Sequence, residues 1–212
     1  MVPKLNRGSN QVEGGPRPED RRARRALATR QTILRAAASV FRDRGFADTG
    51  MREIAAAADL SPANLYYYFK SKHELLYFCQ DHSVDQMLVA TRPPGGRRQG
   101  PAERLRRVIT AHLTCTLDEL DGAAAHTEVD ALPPALRARI VAKRDRYEQA
   151  VRRIVADGVR RGAFVRCDPA LVTRAILGAL NWTAKWYRPD GTQRPAAVAD
   201  AFADYLVRGL RK

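Results

Sequence analysis

The sequence predicts an all-α protein, and three observations predict it. Apolar residues recur every three or four positions along most of the chain, the interval at which side chains share one face of an α-helix. No segment alternates apolar and polar residues as a half-buried strand would. The breaks between periodic segments, such as "DLSP", "RPPGGRRQGP", "DALPP" and "RPDGTQRP", are rich in proline, glycine and capping residues.

The elements follow in order. Residues 1–17 contain Pro3, Gly8, Gly14, Gly15 and Pro16 without apolar periodicity, which predicts a flexible basic tail. A long helix starts near Pro18, with Glu19 and Asp20 in its first turn, and runs to Gly45. Ile33, Ala37, Val40 and Phe41 give it one apolar face, and its start carries Arg21, Arg22, Arg24 and Arg25. Thr49 is expected to cap a short second helix, "GMREIAAAAD", with Ile54 and Ala58 inward. Ser61 is the N-cap of a third helix and Pro62 its first residue. In "SKHE", Ser71 and Glu74 form a capping box that opens a fourth helix to about Ala90. Further helical patterns cover about 102–120, 134–162, 168–187 and 195–210, and no internal repeat is present.

Composition narrows the function. A chain of 212 residues with 45% hydrophobic content can bury a core in one or two domains. Its 37 Lys and Arg against 23 Asp and Glu leave a formal charge of +14, and residues 1–72 hold half of that excess in a third of the length. This imbalance favours a polyanionic partner, with nucleic acid ahead of an anionic membrane or an acidic metabolite. Cys79, Cys115 and Cys167 are isolated, so neither a disulfide framework nor a zinc site is expected and a reducing compartment fits. There is no secretory apolar segment and no run of about 18 apolar residues, so a cytoplasmic protein with no membrane partner is expected. His112 and Cys115 share a helix face and His126 follows, but no third ligand stands at metal spacing, so no metal or cofactor is expected. Nucleophile-elbow, P-loop and dinucleotide fingerprints are all missing from the sequence, which argues against an enzyme.

Two short helices joined by a tight turn, after a longer packing helix, are the elements of a helix-turn-helix unit, with the motif at about 50–69. Such a unit lays its second helix in the DNA major groove. Ser61, Pro62, Ala63 and Asn64 occupy that helix's N-terminal end, where Asn can pair with adenine and Ala allows close approach. The hydroxyls of Tyr66, Tyr67 and Tyr68 suit phosphate oxygens. Thr49, Arg52 and Lys72, at or near the starts of the flanking helices, are further candidates for DNA contact. Leu65 and Phe69, one turn apart, belong to the core with Ile54. Adjacent helical residues point about 100° apart, so the tyrosines cannot all turn inward. Tyr66 is expected to bury its ring and offer its hydroxyl, and Tyr67 to lie on the outer surface. Arg21, Arg22, Arg24 and Arg25 form either a DNA-binding arm or a solvated basic helix start.

The stretch "TILRAAASVFRDRGFADTGMREIAAAADLSPANLYYYFKSKHELL" resembles the DNA-binding domain of the TetR family of bacterial transcriptional regulators. It departs from the family's pattern at Asp59, where glycine is usual in the turn, and at Tyr68, often histidine. Asp tolerates a left-handed backbone better than most residues, so the turn should survive. By position, the resemblance implies DNA contact for Thr49, Ala63, Asn64, Tyr66, Tyr67, Tyr68 and Lys72. It also implies that 18–72 is the DNA-binding domain and that 73–212 binds a small effector and forms a homodimer on inverted-repeat operator DNA.

The last two helices offer apolar stripes for that dimer, from Leu171, Ala175 and Ala179 and from Val198, Phe202 and Leu206, unless these are intrachain core. "ILGALNWTAKWYRPDG" is similar to a branch of the family that responds to acyl-coenzyme A thioesters. Candidates for an acyl channel are Tyr77, Phe78, Met87, Leu113, Tyr147, Val151 and Trp182, and candidates for phosphate contact are Arg144, Arg146, Lys185 and Arg188. The expected function is a repressor released from DNA by a small effector. Two alternatives stay open at this point: a repressor of an efflux pump responding to lipophilic drugs, and a helical ligand-binding or interaction protein with a vestigial DNA unit.

Overall fold

Ile33, Ala37 and Phe41 stand one helical turn apart and are all buried, which fixes the inner face of the first helix. The structure is a computed structural model that describes residues 18–93, 99–117 and 128–211, with side chains from residue 22. The N-terminal tail 1–17 and His126 lie outside the described residues. Among the described residues are eight α-helices: α1 (Pro18–Arg44), α2 (Met51–Ala57), α3 (Pro62–Tyr68), α4 (Lys72–Ala90), α5 (Pro101–Leu117), α6 (Pro134–Arg160), α7 (Pro169–Trp186) and α8 (Pro195–Arg208). A 3-10 turn at Val129–Ala131 precedes α6. No strand occurs among the described residues, and none of the described helices is long and apolar enough to cross a membrane.

The start signals act as their chemistry requires, with one correction. Ser61 Oγ accepts the Asn64 N–H at 3.2 Å, and Ser71 Oγ accepts the Glu74 N–H at 3.2 Å, while Glu74 reaches back to the Lys70 N–H at 2.7 Å. Thr49 does not cap α2. Its hydroxyl is buried and donates to the Gly45 carbonyl at 2.7 Å, and the N-cap is Gly50, whose N–H is bound by the Glu53 carboxylate at 2.8 Å. Between α2 and α3, Asp59 takes a left-handed backbone at φ 55°, while Leu60 N–H closes onto the Ala55 carbonyl at 2.9 Å. The turn thus keeps its helix-ending geometry without the glycine that usually supplies it.

Helices α1 to α3 pack around Ile33, Phe41, Ile54, Leu65 and Phe69. Each such buried side chain contributes roughly 1.5–3 kcal/mol of transfer free energy, which short helices need because they are marginal alone. α4 packs on α1 and also on α5 and α6, so it belongs to both halves of the molecule. α5 runs through the middle of the C-terminal half against α4, α6, α7 and α8, with Leu105, Ile109 and Leu113 fully buried.

The end of α6 is locked by one aromatic. Phe164 is buried over Gly158, whose carbonyl accepts the Ala163 N–H at 2.9 Å and the Phe164 N–H at 3.1 Å. A Cβ at Gly158 would sit 2.0 Å from the Phe164 ring. Next to it, Val165 N–H binds the Leu210 carbonyl at 2.8 Å and ties the chain's last turn to this corner. Gly158→Ala should therefore destabilise the fold by about 1–3 kcal/mol despite alanine's better helix propensity. Urea denaturation checks this, and unchanged stability would show that the corner is loosely packed.

Candidate DNA-reading head and ligand cavity

The first three helices present one polar and aromatic ridge to solvent. With Leu65 and Phe69 turned into the core, Ser61, Pro62, Ala63 and Asn64 are left exposed at the start of α3, and Arg52 is exposed on α2. Tyr67 is 80% exposed and Tyr66 52%, whereas Tyr68 is half-buried against the core. The inward aromatic is therefore Tyr68 and not Tyr66. At about 100° per residue, positions 66 and 68 flank the face shared by 65 and 69 equally and 67 lies opposite it, so packing and not spacing selects Tyr68. The Tyr67 ring stands edge-on to Tyr68, with centroids 5.2 Å apart at 90°.

Two candidates for phosphate contact are turned toward the protein. Lys72 Nζ donates to the carbonyls of Phe46, Ala47 and Thr49 at 3.0, 3.1 and 3.2 Å, and lies 4.6 Å from the Phe46 ring centroid. An ammonium has three protons, and these carbonyls engage all of them. Lys72 thus clamps the start of α4 to the α1–α2 loop, and Thr49 is one of the residues clamped. Arg22, Arg24 and Arg25 are exposed on the first turns of α1; the Arg21 side chain lies outside the described residues.

A cavity of about 450 Å³ lies between α4, α5, α6 and α7. Val84, Met87 and Leu177 form its apolar wall; His112, Thr116, Arg144, Asp145, Tyr147, Glu148, Arg174, Gly178 and Asn181 supply the rest. Of the pocket residues expected from sequence, Met87, Arg144 and Tyr147 line it. Leu113 and Val151 are core residues with no exposed surface. Tyr77 is buried beside Asp81, to which its hydroxyl donates at 3.3 Å, and Phe78 packs edge-on to Phe69 beneath the reading head. Trp182 points away from the cavity and is 64% exposed; Arg146, Lys185 and Arg188 also lie outside it, with Arg188 on a separate shallow cleft beside Trp186 and Tyr187. Sequence reasoning treated His112 only as a failed metal ligand and missed Thr116, Arg174, Leu177 and Asn181. The available signal was His112 and Thr116 at i and i+4 on the otherwise apolar face of α5, polar groups where core is expected.

Burial sets the protonation states in this cavity. Desolvation pushes His112 down to about 4; the side chain of Asn181 partly offsets this, and the positive charge of Arg144 adds to it. Tyr147 is pushed up by desolvation and by Cys115, so it remains a neutral phenol. Desolvation also lowers Arg144. Just outside the cavity, Lys143 Nζ joins α6 to α4 through Asp81 at 2.5 Å and Asp85 at 2.8 Å.

On the far side, α7 and α8 carry an apolar surface that the chain leaves uncovered. Leu171 is 66% exposed and Tyr205 81%, and Ala175, Ala201 and Trp186 are exposed with them. Ala179 is on the same helix. The α8 stripe expected from sequence is the inward one: Val198 is buried, and Phe202 and Leu206 pack against the chain's own core, with Phe202 stacked on Trp186 at 6.2 Å. The outward face of α8 runs through Ala197, Ala201 and Tyr205.

Two stretches of the chain match known family models. Residues 33–77 match the family model for bacterial regulatory proteins of the tetR family, and residues 98–210 match the tetracyclin repressor-like C-terminal domain. The HTH-type transcriptional repressor KstR2 of Mycobacterium tuberculosis is 25% identical over 197 residues, covering 91% of this chain and 98% of that protein. The crystal structure of PfmR, a TetR-family regulator from Thermus thermophilus, superposes with a TM-score of 0.74 at 35% identity, covering 85% of this chain and 99% of that one. That of AibR in complex with isovaleryl coenzyme A and operator DNA superposes with a TM-score of 0.70 at 26% identity, covering 84% and 98%.

The depressed His112 has a consequence for stability. A histidine whose folded-state pKa lies below its unfolded value takes up its proton more readily in the unfolded chain, so it stabilises the fold above about pH 6.5 and this is lost as pH falls toward 4. The loss should reach roughly 3 kcal/mol across that window. Denaturation at pH 7 and pH 4.5, in wild type and His112→Gln, checks it: the variant should show the smaller drop, and equal drops would overturn the assignment.

Proposed function

The chain belongs to the TetR family of bacterial transcriptional regulators, and on that footing we propose that it is a dimeric repressor released from operator DNA by an acyl-coenzyme A thioester. The observation that carries the reading is the join between the two halves: an exposed recognition ridge on α3 and a ligand-sized cavity share α4 as a common wall and support. The repressor KstR2 and the structure of AibR with isovaleryl coenzyme A and operator DNA support both parts of the proposal.

On this reading residues 18–72 are the reading head and 73–212 the effector-binding and dimerisation part. The cytoplasm is where a regulator of this kind meets its DNA. Asn64, Tyr66 and Tyr67 enter the major groove, with Ser61, Pro62, Ala63 and Arg52 against its edges and backbone. Arg22, Arg24 and Arg25 approach the flanking phosphates as an arm. The acyl part of the effector occupies the cavity, while its nucleotide, too large for 450 Å³ beside the chain it carries, extends past Arg144 and Arg174. Two copies join through the outward faces of α7 and α8 into a four-helix bundle, which requires an inverted-repeat operator.

The coupling is mechanical. DNA favours one separation of the two heads, and a ligand against Val84 and Met87 favours another angle of α4. Each therefore weakens the other's binding.

Three measurements test this. Tyr67→Ala should weaken operator binding about tenfold or more by fluorescence anisotropy while sedimentation still shows a dimer; unchanged affinity removes Tyr67 from the groove. Trp182→Glu should shift the sedimenting species to monomer, because it places a charge in the face α7 leaves uncovered. Calorimetry with a panel of acyl-coenzyme A thioesters should show binding by at least one, and no binding by any would remove the effector assignment.

A further inference from the structure

We propose that the cavity between α4 and α7 holds its ligand by a carbonyl oxygen on an otherwise apolar segment, and that the Nε2–H of His112 is the group that binds it. The inference rests on the cavity being the effector site and adds what that site reads.

His112 is 4% exposed and its ring lines the cavity. Nδ1 lies 3.2 Å from the Tyr147 hydroxyl; Nε2 makes no bond of full hydrogen-bond geometry among the described residues, and the ring's further polar contact is the Asn181 side chain. The neighbouring Thr116 hydroxyl commits its proton to the His112 carbonyl at 2.8 Å, so it has no donor for the ring. A buried polar nitrogen left unmatched destabilises the fold, and such groups are rare unless something else satisfies them. The ring that carries it belongs to the polar part of the cavity lining.

The direction of the hydrogen bond follows from the neighbours. Tyr147 stays protonated, so its hydroxyl can donate to Nδ1, and we take the tautomer that goes with this, with the imidazole proton on Nε2. Asn181 acts to raise the ring's affinity for protons, as an amide oxygen near a ring N–H does, yet it leaves Nε2 without a bond of full hydrogen-bond geometry. The ring itself is neutral at ordinary pH, so it offers one directed donor and no charge. The lining sets Arg144 and Arg174 against Asp145 and Glu148, with Glu148 paired to Arg152, so its formal charges balance and favour a neutral acceptor over an ion. Elsewhere in the lining, Val84, Met87 and Leu177 accept only apolar substance. A carbonyl carried on a hydrocarbon chain or ring satisfies both walls; a bare hydrocarbon leaves Nε2 unmatched.

The test uses the full-length protein and three probes of similar size: methyl decanoate, 1-decanol and 1-chlorodecane, titrated calorimetrically. The ester should bind about tenfold tighter than the chloroalkane, the value of one buried hydrogen bond, and more tightly than the alcohol. His112→Phe should abolish that preference and His112→Asn, which keeps an N–H donor, should restore part of it. In the unliganded wild type, imidazole 15N shifts should show the proton on Nε2, a readout that needs no variant to fold. Equal binding of ester and chloroalkane, preference for the alcohol, an Nδ1–H tautomer, or failure of all three probes to bind would each overturn the proposal. Operator release is followed separately: ester-selective, His112-dependent binding without release would uphold the carbonyl site and defeat the effector reading alone.

Discussion

The molecule depends on how its reading head is fastened to α4. Arg30 of α1 sits with its guanidinium 4.2 Å from the Phe78 ring centroid and 5.0 Å from that of Phe69, so one cation joins α1, the end of α3 and α4. At the start of α4, the Lys72 ammonium holds the three carbonyls of the α1–α2 loop. Between them these two side chains leave α4 little freedom to tilt without taking the head along. On the proposed mechanism this joint is what would carry a change at the cavity to the DNA-reading helices.

The other end of α4 faces a different constraint. It borders the cavity through Val84 and Met87, and Lys143 draws it to α6 through Asp81 and Asp85. A buried ion pair of this sort is weak evidence for stability, because desolvation offsets much of the attraction, but its geometry is demanding. It therefore favours one register of α4 against α6. α7 divides its surface similarly, with Arg174, Leu177 and Asn181 toward the cavity and Leu171 and Trp182 toward the uncovered outer face. Ligand contacts and the outer face are thus back to back on one helix, so a ligand that shifts α7 shifts both.

The helices were legible because their signals are local: a proline or serine at a start, a glycine or aspartate at a stop, and an apolar residue each turn between. The helix-turn-helix was legible for the same reason, and Asp59 adopts the left-handed turn its position demanded. Side-chain direction was harder. Tyr68 rather than Tyr66 packs on the core because the two flank the 65/69 face symmetrically, about 80° to either side, and spacing alone cannot choose between them. Lys72 was misread because its partners, Phe46, Ala47 and Thr49, lie more than twenty positions away and are backbone atoms, which leave no trace in residue type. On α8, Val198, Phe202 and Leu206 formed an apolar stripe that could serve the core or a partner; only packing against α5 decides between them. The cavity was the least legible part, since four helices contribute to it and its defining residues are polar ones that a search for aromatic and basic side chains passed over.

With α3 in the groove as proposed, the edge-on contact between Tyr67 and Tyr68 would bear on how fast and how selectively the head engages its target. A tyrosine so exposed would ordinarily sample several rotamers, and ordering it on a duplex would reduce the binding free energy through lost entropy. With Tyr68 packed against the core, its ring favours one placement of Tyr67, so part of that ordering would precede DNA binding. The recognition surface is preorganised, and its aromatic pair acts as a stiff wedge. A stiff wedge discriminates by shape: it is slow to leave a groove that fits and gains little from one that does not.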